Sequence, residues 1–167
     1  MRVLGIDPGP EHSAYVLWES GSVRDAGFID NEALRHYLRS IEVHESDLCA
    51  IETITGYGMP VGKETFGTCI WIGIFQECWS RRSEQRAILV PRKEIKLHHC
   101  QSSRAKDANV RQALLDKYGR PGTKKRPGAT YGISGHLWAA FAVATYVTER
   151  EIEDSHSPST QEKGIDL

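Results

Sequence analysis

Apolar residues change rhythm several times along this chain, and each change predicts an element. Met1 to Gly5 run apolar into Asp7-Pro8-Gly9-Pro10, a turn that must end a strand because proline cannot continue the ladder. His12 to Glu19, containing Tyr15-Val16-Leu17-Trp18, and Val23 to Ile29, set off by Gly21-Ser22, read as two further short strands, so the chain opens as a β-meander. Leu34, Tyr37, Leu38 and Ile41 then recur at helical spacing behind a cap at Asp30 or Asn31. Leu48 to Ile54, interrupted only by Glu52 and Thr53, reads as a buried fourth strand.

Gly56 to Gly67 begins as a glycine-rich loop, and from about Lys63 the pattern turns helical through Ile70, Ile74, Glu77 and Cys78. Ala87 to Val90 is a fifth strand stopped by Pro91, and Lys106 to Lys117 a helix with Gly119 as its C-cap. Arg120 to Gly128 is a loop rich in Pro, Gly and Lys. Ser134, an N-cap candidate, opens a strongly apolar helix carrying Leu137, Trp138, Phe141, Val143, Ala144 and Val147 to about Glu151. An antiparallel meander followed by β-α units predicts an α/β fold with a mixed sheet flanked by helices. Residues 1–151 form the expected domain, and 152–167 a polar, disordered tail with little to bury.

With 167 residues, 40% of them hydrophobic, the chain fits one domain able to bury roughly 68–70% of its unfolded surface without disulfides or a structural metal. The four cysteines, Cys49, Cys69, Cys78 and Cys100, form no C-x-x-C pair and read as buried free thiols of a reducing cytoplasm. No apolar run approaches the ~20 residues of a membrane span, so the expected protein is cytoplasmic with no membrane partner. Net charge is only −1, but it is segregated: residues 1–80 carry 5 Lys/Arg against 12 Asp/Glu, residues 81–128 carry 14 against 4, and residues 129–167 carry 2 against 6. A basic stretch set between acidic ones suits a protein that neutralises phosphates without being basic overall.

Two acids stand where burial would penalise a lone charge: Asp7 closes the first strand, and Glu52 lies in the apolar fourth. Such carboxylates cost several kcal/mol unless paired or holding a cation. A shared Mg²⁺ or Mn²⁺ satisfies both, and two such ions activate water and stabilise the leaving oxygen in phosphodiester cleavage. His98-His99-Cys100 offers good ligand types, but three adjacent residues cannot converge on one tetrahedral zinc.

Leu4-Gly5-Ile6-Asp7-Pro8-Gly9 resembles the opening motif of the RuvC family of Holliday-junction resolvases, in the RNase H-like superfamily. Ala50-Ile51-Glu52 resembles its second motif, and Ala140-Phe141-Ala142-Val143-Ala144 its small-apolar final helix. The likeness covers residues 1 to about 148 and is nearest to phage-type members. It implies an RNase H-like fold with a five-stranded sheet, a homodimer, and a metal-dependent crossover junction endodeoxyribonuclease that nicks two strands of a four-way DNA junction. The family's final helix supplies two ligands one turn apart, and those positions fall here on His136 and Ala139. Ala139 cannot ligate, so either His136 alone is the third ligand, or an acid such as Asp107 reaches in, or the site is impaired. The last case describes a catalytically weak branched-DNA-binding homologue acting as a recruitment module.

The resemblance makes Asp7, Glu52 and His136 the catalytic candidates, with the same three and Asp107 as metal candidates. The DNA-binding candidates are Arg81, Arg82, Lys93, Arg104, Lys106 and the loop trio Lys124-Lys125-Arg126, which offer phosphate contacts. Tyr57, next to Glu52 in the glycine loop, is a candidate to meet an unstacked base. The helix from Lys63 to Arg81 carries Ile70, Trp71, Ile74 and Phe75, more apolar surface than one core face needs, which agrees with a dimer.

Overall fold

The computed structural model describes residues 1–55, 58 and 60–156. Its strands β1 (Arg2–Asp7), β2 (His12–Glu19), β3 (Ser22–Asp30), β4 (Leu48–Thr53) and β5 (Ile88–Pro91) form one mixed sheet in the order β3-β2-β1-β4-β5. The expected meander is the antiparallel β1-β2-β3 half, and β4 and β5 add parallel to β1. Helices α1 (Asn31–Ser40) and α2 (Lys63–Ser80) follow β3 and β4. Then come α3 (Arg92–Cys100), α4 (Asp107–Tyr118), the two-residue strands β6 (Gly122–Thr123) and β7 (Arg126–Pro127), and α5 (Leu137–His156).

Alternation along the strands sorts the side chains into two layers. Leu4, Ile6, Cys49 and Ile51 pack with Leu34 and Leu38 of α1 and Phe75 and Trp79 of α2. Val3, Ala50, Val16, Trp18 and Val90 pack on the other face with Ile95, Leu114 and the α5 residues Trp138, Phe141 and Val143. Since Gly5 and Asp7 share the parity of Val3, and Glu52 that of Ala50, both acids belong to the α3-α4-α5 face. Gly5 is what lets α5 lie so close: a Cβ there would overlap the Ala140 carbonyl oxygen and stand 2.7 Å from the Ala144 Cβ.

Several boundaries depart from expectation. Helix α3 was not foreseen, because the chain passes from Pro91 straight into helical turns and only Ile95 of the nine residues is buried, which leaves no apolar rhythm to read. The predicted loop at 120–128 contains the β6-β7 hairpin, which starts at Gly122, whose φ of +74° suits glycine. Helix α5 begins three residues later than the Ser134 cap implied, Leu137 N–H donating to the Ser134 carbonyl at 3.0 Å, and continues past Glu151 to His156. Asp30 is the α1 cap, its carboxylate accepting from Ala33 N–H at 3.0 Å. Cys49 and Cys78 are buried free thiols as expected, but Cys69 is exposed and Cys100 half-buried. Among the described residues no helix is long and apolar enough to cross a membrane. Of the predicted tail, 152–156 are exposed turns of α5, and 157–167 lie outside the described residues.

Candidate active site

Parallel pairing sets Ile6 opposite Ile51, so Asp7 and Glu52 are the next residues outward at the carboxyl ends of neighbouring central strands. The carboxyl edge of such a sheet is where ligands bind in open α/β folds. Here Asp7, Glu52, Asp107, His136 and Ala139 line one cleft of about 330 Å³, with Arg92, Lys96 and Arg111 beside them. Each comes from a different support: Asp107 is the first residue of α4, and Arg92 and Lys96 are one helical turn apart on α3. His136 lies in the turn entering α5, its carbonyl accepting from Ala139 N–H at 3.2 Å.

Arg92 organises the acids. Its guanidinium donates to Glu52 Oε1 at 2.7 Å and pairs with Asp107 Oδ2 at 2.7 Å, while Lys96 Nζ stands 3.5 Å from Asp107 Oδ1. The Glu52 side chain is 9% exposed and that of Asp107 71%. Among the described residues none donates a hydrogen bond to the Asp7 carboxylate. Burial, reinforced by the Glu52 charge and only partly countered by Arg92, pushes Asp7 up to about 7. Burial also raises Glu52 despite Arg92, whereas Asp107, for all that burial opposes it, is held below the usual carboxylate range by Arg92 and Lys96.

At 1.36 kcal/mol per pKa unit, keeping Asp7 ionised without a partner costs about 4 kcal/mol. Oxygen donors converging on uncompensated negative charge are what a hard divalent cation requires, so this donor set fits Mg²⁺ or Mn²⁺. The His136 ring stacks on Phe28, centroids 4.5 Å apart and planes 18° apart.

The basic candidates separate in space. Lys106 immediately precedes Asp107 and is exposed, as are Lys93 and Arg104. Lys124, Lys125 and Arg126 are exposed on the β6-β7 hairpin, at the far end of the 12-residue helix α4, about 18 Å from Asp107. Arg81 and Arg82 are not brought to the cleft. The 18 residues of α2 carry them about 27 Å away, where Arg81 pairs with Glu77 and Arg82 donates to the Ile41 carbonyl at 3.0 Å. Tyr57 lies outside the described residues.

Sequence reasoning did not single out Arg92, Lys96 and Arg111 from the other basic residues, nor Glu64 of α2, which faces Asp7 across two neighbouring clefts. The triplet His98-His99-Cys100 does not converge on itself, as its spacing implies. His98 and His99 meet Glu149 of α5 rather than Cys100, with ligand atoms within 4.8 Å of one another. Glu149 already holds His98 Nε2 at 2.6 Å and Lys117 Nζ at 2.7 Å and accepts from the Tyr118 hydroxyl, tying α3, α4 and α5 together. His99 Nε2 bonds the Ala142 carbonyl at 2.9 Å.

No protein-family model and no curated protein matches this sequence. Among solved structures, that of Thermus thermophilus RuvC is similar with a TM-score of 0.65 at 15% identity, covering 92% of this chain and 97% of that one. T. thermophilus RuvC in complex with Holliday junction substrate gives 0.67 at 13% identity, covering 92% and 96%. The fold is RNase H-like.

Proposed function

We propose that this chain is a divalent-metal-dependent endonuclease that resolves branched DNA by paired phosphodiester nicks. The observation that carries the reading is the Asp7 carboxylate, without a hydrogen-bond donor among the described residues and held beside Glu52 and Asp107 in a cleft that Arg92, Lys96 and Arg111 also line. Asp7, Glu52 and Asp107 would hold Mg²⁺ or Mn²⁺, with His136 at the rim. Such an ion, when bound, supplies Lewis-acid activation of the phosphodiester and a lowered pKa for the attacking water. Asp107 takes the part that Ala139 cannot, reaching the same cleft from α4 instead of α5. Lys96 and Arg111, which line the same cleft, would meet the cleaved phosphate, while Lys93, Arg104, Lys106 and the hairpin Lys124-Lys125-Arg126, all exposed or on its rim, would follow the arms, adding affinity without base identity.

Paired nicks call for two sites related by a two-fold axis, and α2 supports a homodimer. It is apolar on all sides, and Phe66 and Ile70 stand 59% and 63% exposed on its outer face, a pattern that marks a covered surface.

The test is cleavage of a mobile four-way junction beside matched linear duplex, in Mg²⁺, Mn²⁺ and EDTA, for the wild type and Asp7→Asn. Paired nicks confined to the junction, dependent on metal and lost in Asp7→Asn, are expected. Metal-independent cleavage, or equal cutting of duplex, overturns the reading. Ala139 and the Arg92 bridge favour a second reading, a branched-DNA-binding protein with weak chemistry. Tight junction binding without nicking, together with a marked gain in Ala139→Asp, would establish that one.

A further inference from the structure

Beside the acidic cleft, on the β3 side of Asp7, lies a second cleft of about 710 Å³, within the size range of small-ligand sites. Its walls differ in kind from those of the first. One wall is aromatic: His12 of β2, Phe28 of β3 and His136, with Phe28 centred 4.5 Å from His136 and 5.6 Å from His12. Asp7 lies at the boundary shared with the acidic cleft, and Lys63, the first residue of α2, is at the rim.

Packing against His12 and His136 uses only part of the Phe28 ring. Phe28 stands on the edge strand, 49% exposed, and so forgoes much of the 1.5–3 kcal/mol that burying such a side chain would contribute. Phe28, stacked on His136 and tilted 31° to His12, keeps an exposed part of its ring at the cleft, where Lys63 presents a cation beside the carboxylates of Glu11 and Glu64. A flat π-system attached to a phosphate is a nucleotide.

We propose that His12, Phe28 and His136 form a nucleobase subsite, in which the base next to the phosphate at Asp7 leaves its stack and lies against Phe28. This rests on the branched-DNA reading and deepens it. At a four-way junction the bases at the exchange point are the ones most easily unstacked, so the subsite selects the branch over continuous duplex, where unstacking costs a few kcal/mol. His136 is thereby a positioning residue, which sets the Phe28 ring and closes the boundary between the two clefts.

The test uses the full chain and a four-way junction carrying 2-aminopurine at single positions on either side of the exchange point, in EDTA so that the DNA stays intact. Wild type should change the emission at one position. Phe28→Ala and Phe28→Leu should lose that change and bind the junction about 5- to 150-fold more weakly, the range of one base–aromatic stack. Phe28→Tyr should retain both, and linear duplex should bind all four proteins equally. Phe28 is half-exposed on an edge strand, and Phe28→Leu keeps its apolar bulk, so loss in Leu with retention in Tyr separates stacking from folding. Unchanged emission and affinity in both Phe28→Ala and Phe28→Leu overturns the subsite. Junction binding by wild type with no emission change at any position overturns the subsite alone, whereas failure to bind the junction at all overturns the branched-DNA reading as well.

Discussion

Replacing Arg92 with Gln removes the guanidinium that bridges Glu52 and Asp107, and its cost can be worked out bond by bond. The Glu52 leg is a charge-assisted hydrogen bond of 2.7 Å to a carboxylate whose side chain is 9% exposed. Losing such a bond costs about 1.5–3 kcal/mol. The Asp107 leg, also 2.7 Å, ends on a side chain 71% exposed, where ion pairs contribute about 0–1 kcal/mol. The sum is about 1.5–4 kcal/mol, or roughly 3–16 °C in melting temperature for a chain of this size.

The same acids give the loss a pH signature. Asp7 titrates at about 7 and Glu52 above its ordinary value, so folding takes up protons as pH falls below 7, and acid relieves their repulsion. In Arg92→Gln the repulsion is stronger. The deficit relative to wild type should therefore be greatest at pH 8, where both acids are ionised, and smaller at pH 5.5. Urea titration at both pH values, in EDTA and in excess Mg²⁺, measures it, and Mg²⁺ should restore part of the loss at pH 8. An equal deficit at both pH values, unmoved by Mg²⁺, would show that Arg92 acts through packing and not through charge.

Three further outcomes are expected. Divalent-ion affinity without DNA, measured by titration calorimetry, should fall about tenfold per pH unit below 7 and level off above it, because binding must displace the Asp7 proton; a flat profile from pH 5.5 to 8 would mean that Asp7 is not a ligand. Gly5→Ala should cost about 3 kcal/mol or more in denaturant titration, since its Cβ overlaps a backbone carbonyl that cannot rotate away; a loss under about 1 kcal/mol would mean that α5 yields. Glu149→Gln should cost about 2 kcal/mol at pH 7 through its charge-assisted bonds. Although burial opposes it, Lys117, Tyr118 and His98 hold Glu149 below its ordinary range, so this contribution is complete above the unfolded value near 4.5 and disappears as pH falls through the folded one; a deficit that persists at pH 3 would refute the electrostatic origin.

The acids at Asp7 and Glu52 were legible because a charge within an apolar strand has few uses, and the sheet was legible because strand and turn signals agreed along its length. Asp107 was nameable only as one of several substitutes for the missing carboxylate at Ala139, since nothing local marks the first residue of a helix as facing a distant strand. Arg92 was hidden for a different reason: eight of the nine α3 residues are not fully buried, so no periodicity announced the element that aims it. Arg81 and Arg82, placed at the end of α2 and away from the cleft, show the converse case. Charge density along a sequence is one-dimensional, and a long helix can carry half of a basic stretch to the opposite end of the sheet. The ties of Glu149 to α3 and α4 were invisible because they join positions 31 to 51 residues apart.

The close seat of α5 over Gly5 also bears on the order in which the cleft is assembled during synthesis. β1 leaves the ribosome first among the described elements and α5 last, yet the two are in direct contact. Until α5 docks, the face bearing Asp7 and Glu52 lies open to water, Trp18 has no Phe141 to pack against, and the turn carrying His136 has no anchor. A nascent chain therefore holds every strand of its sheet before it holds the covered face on which Asp7 and Glu52 lie.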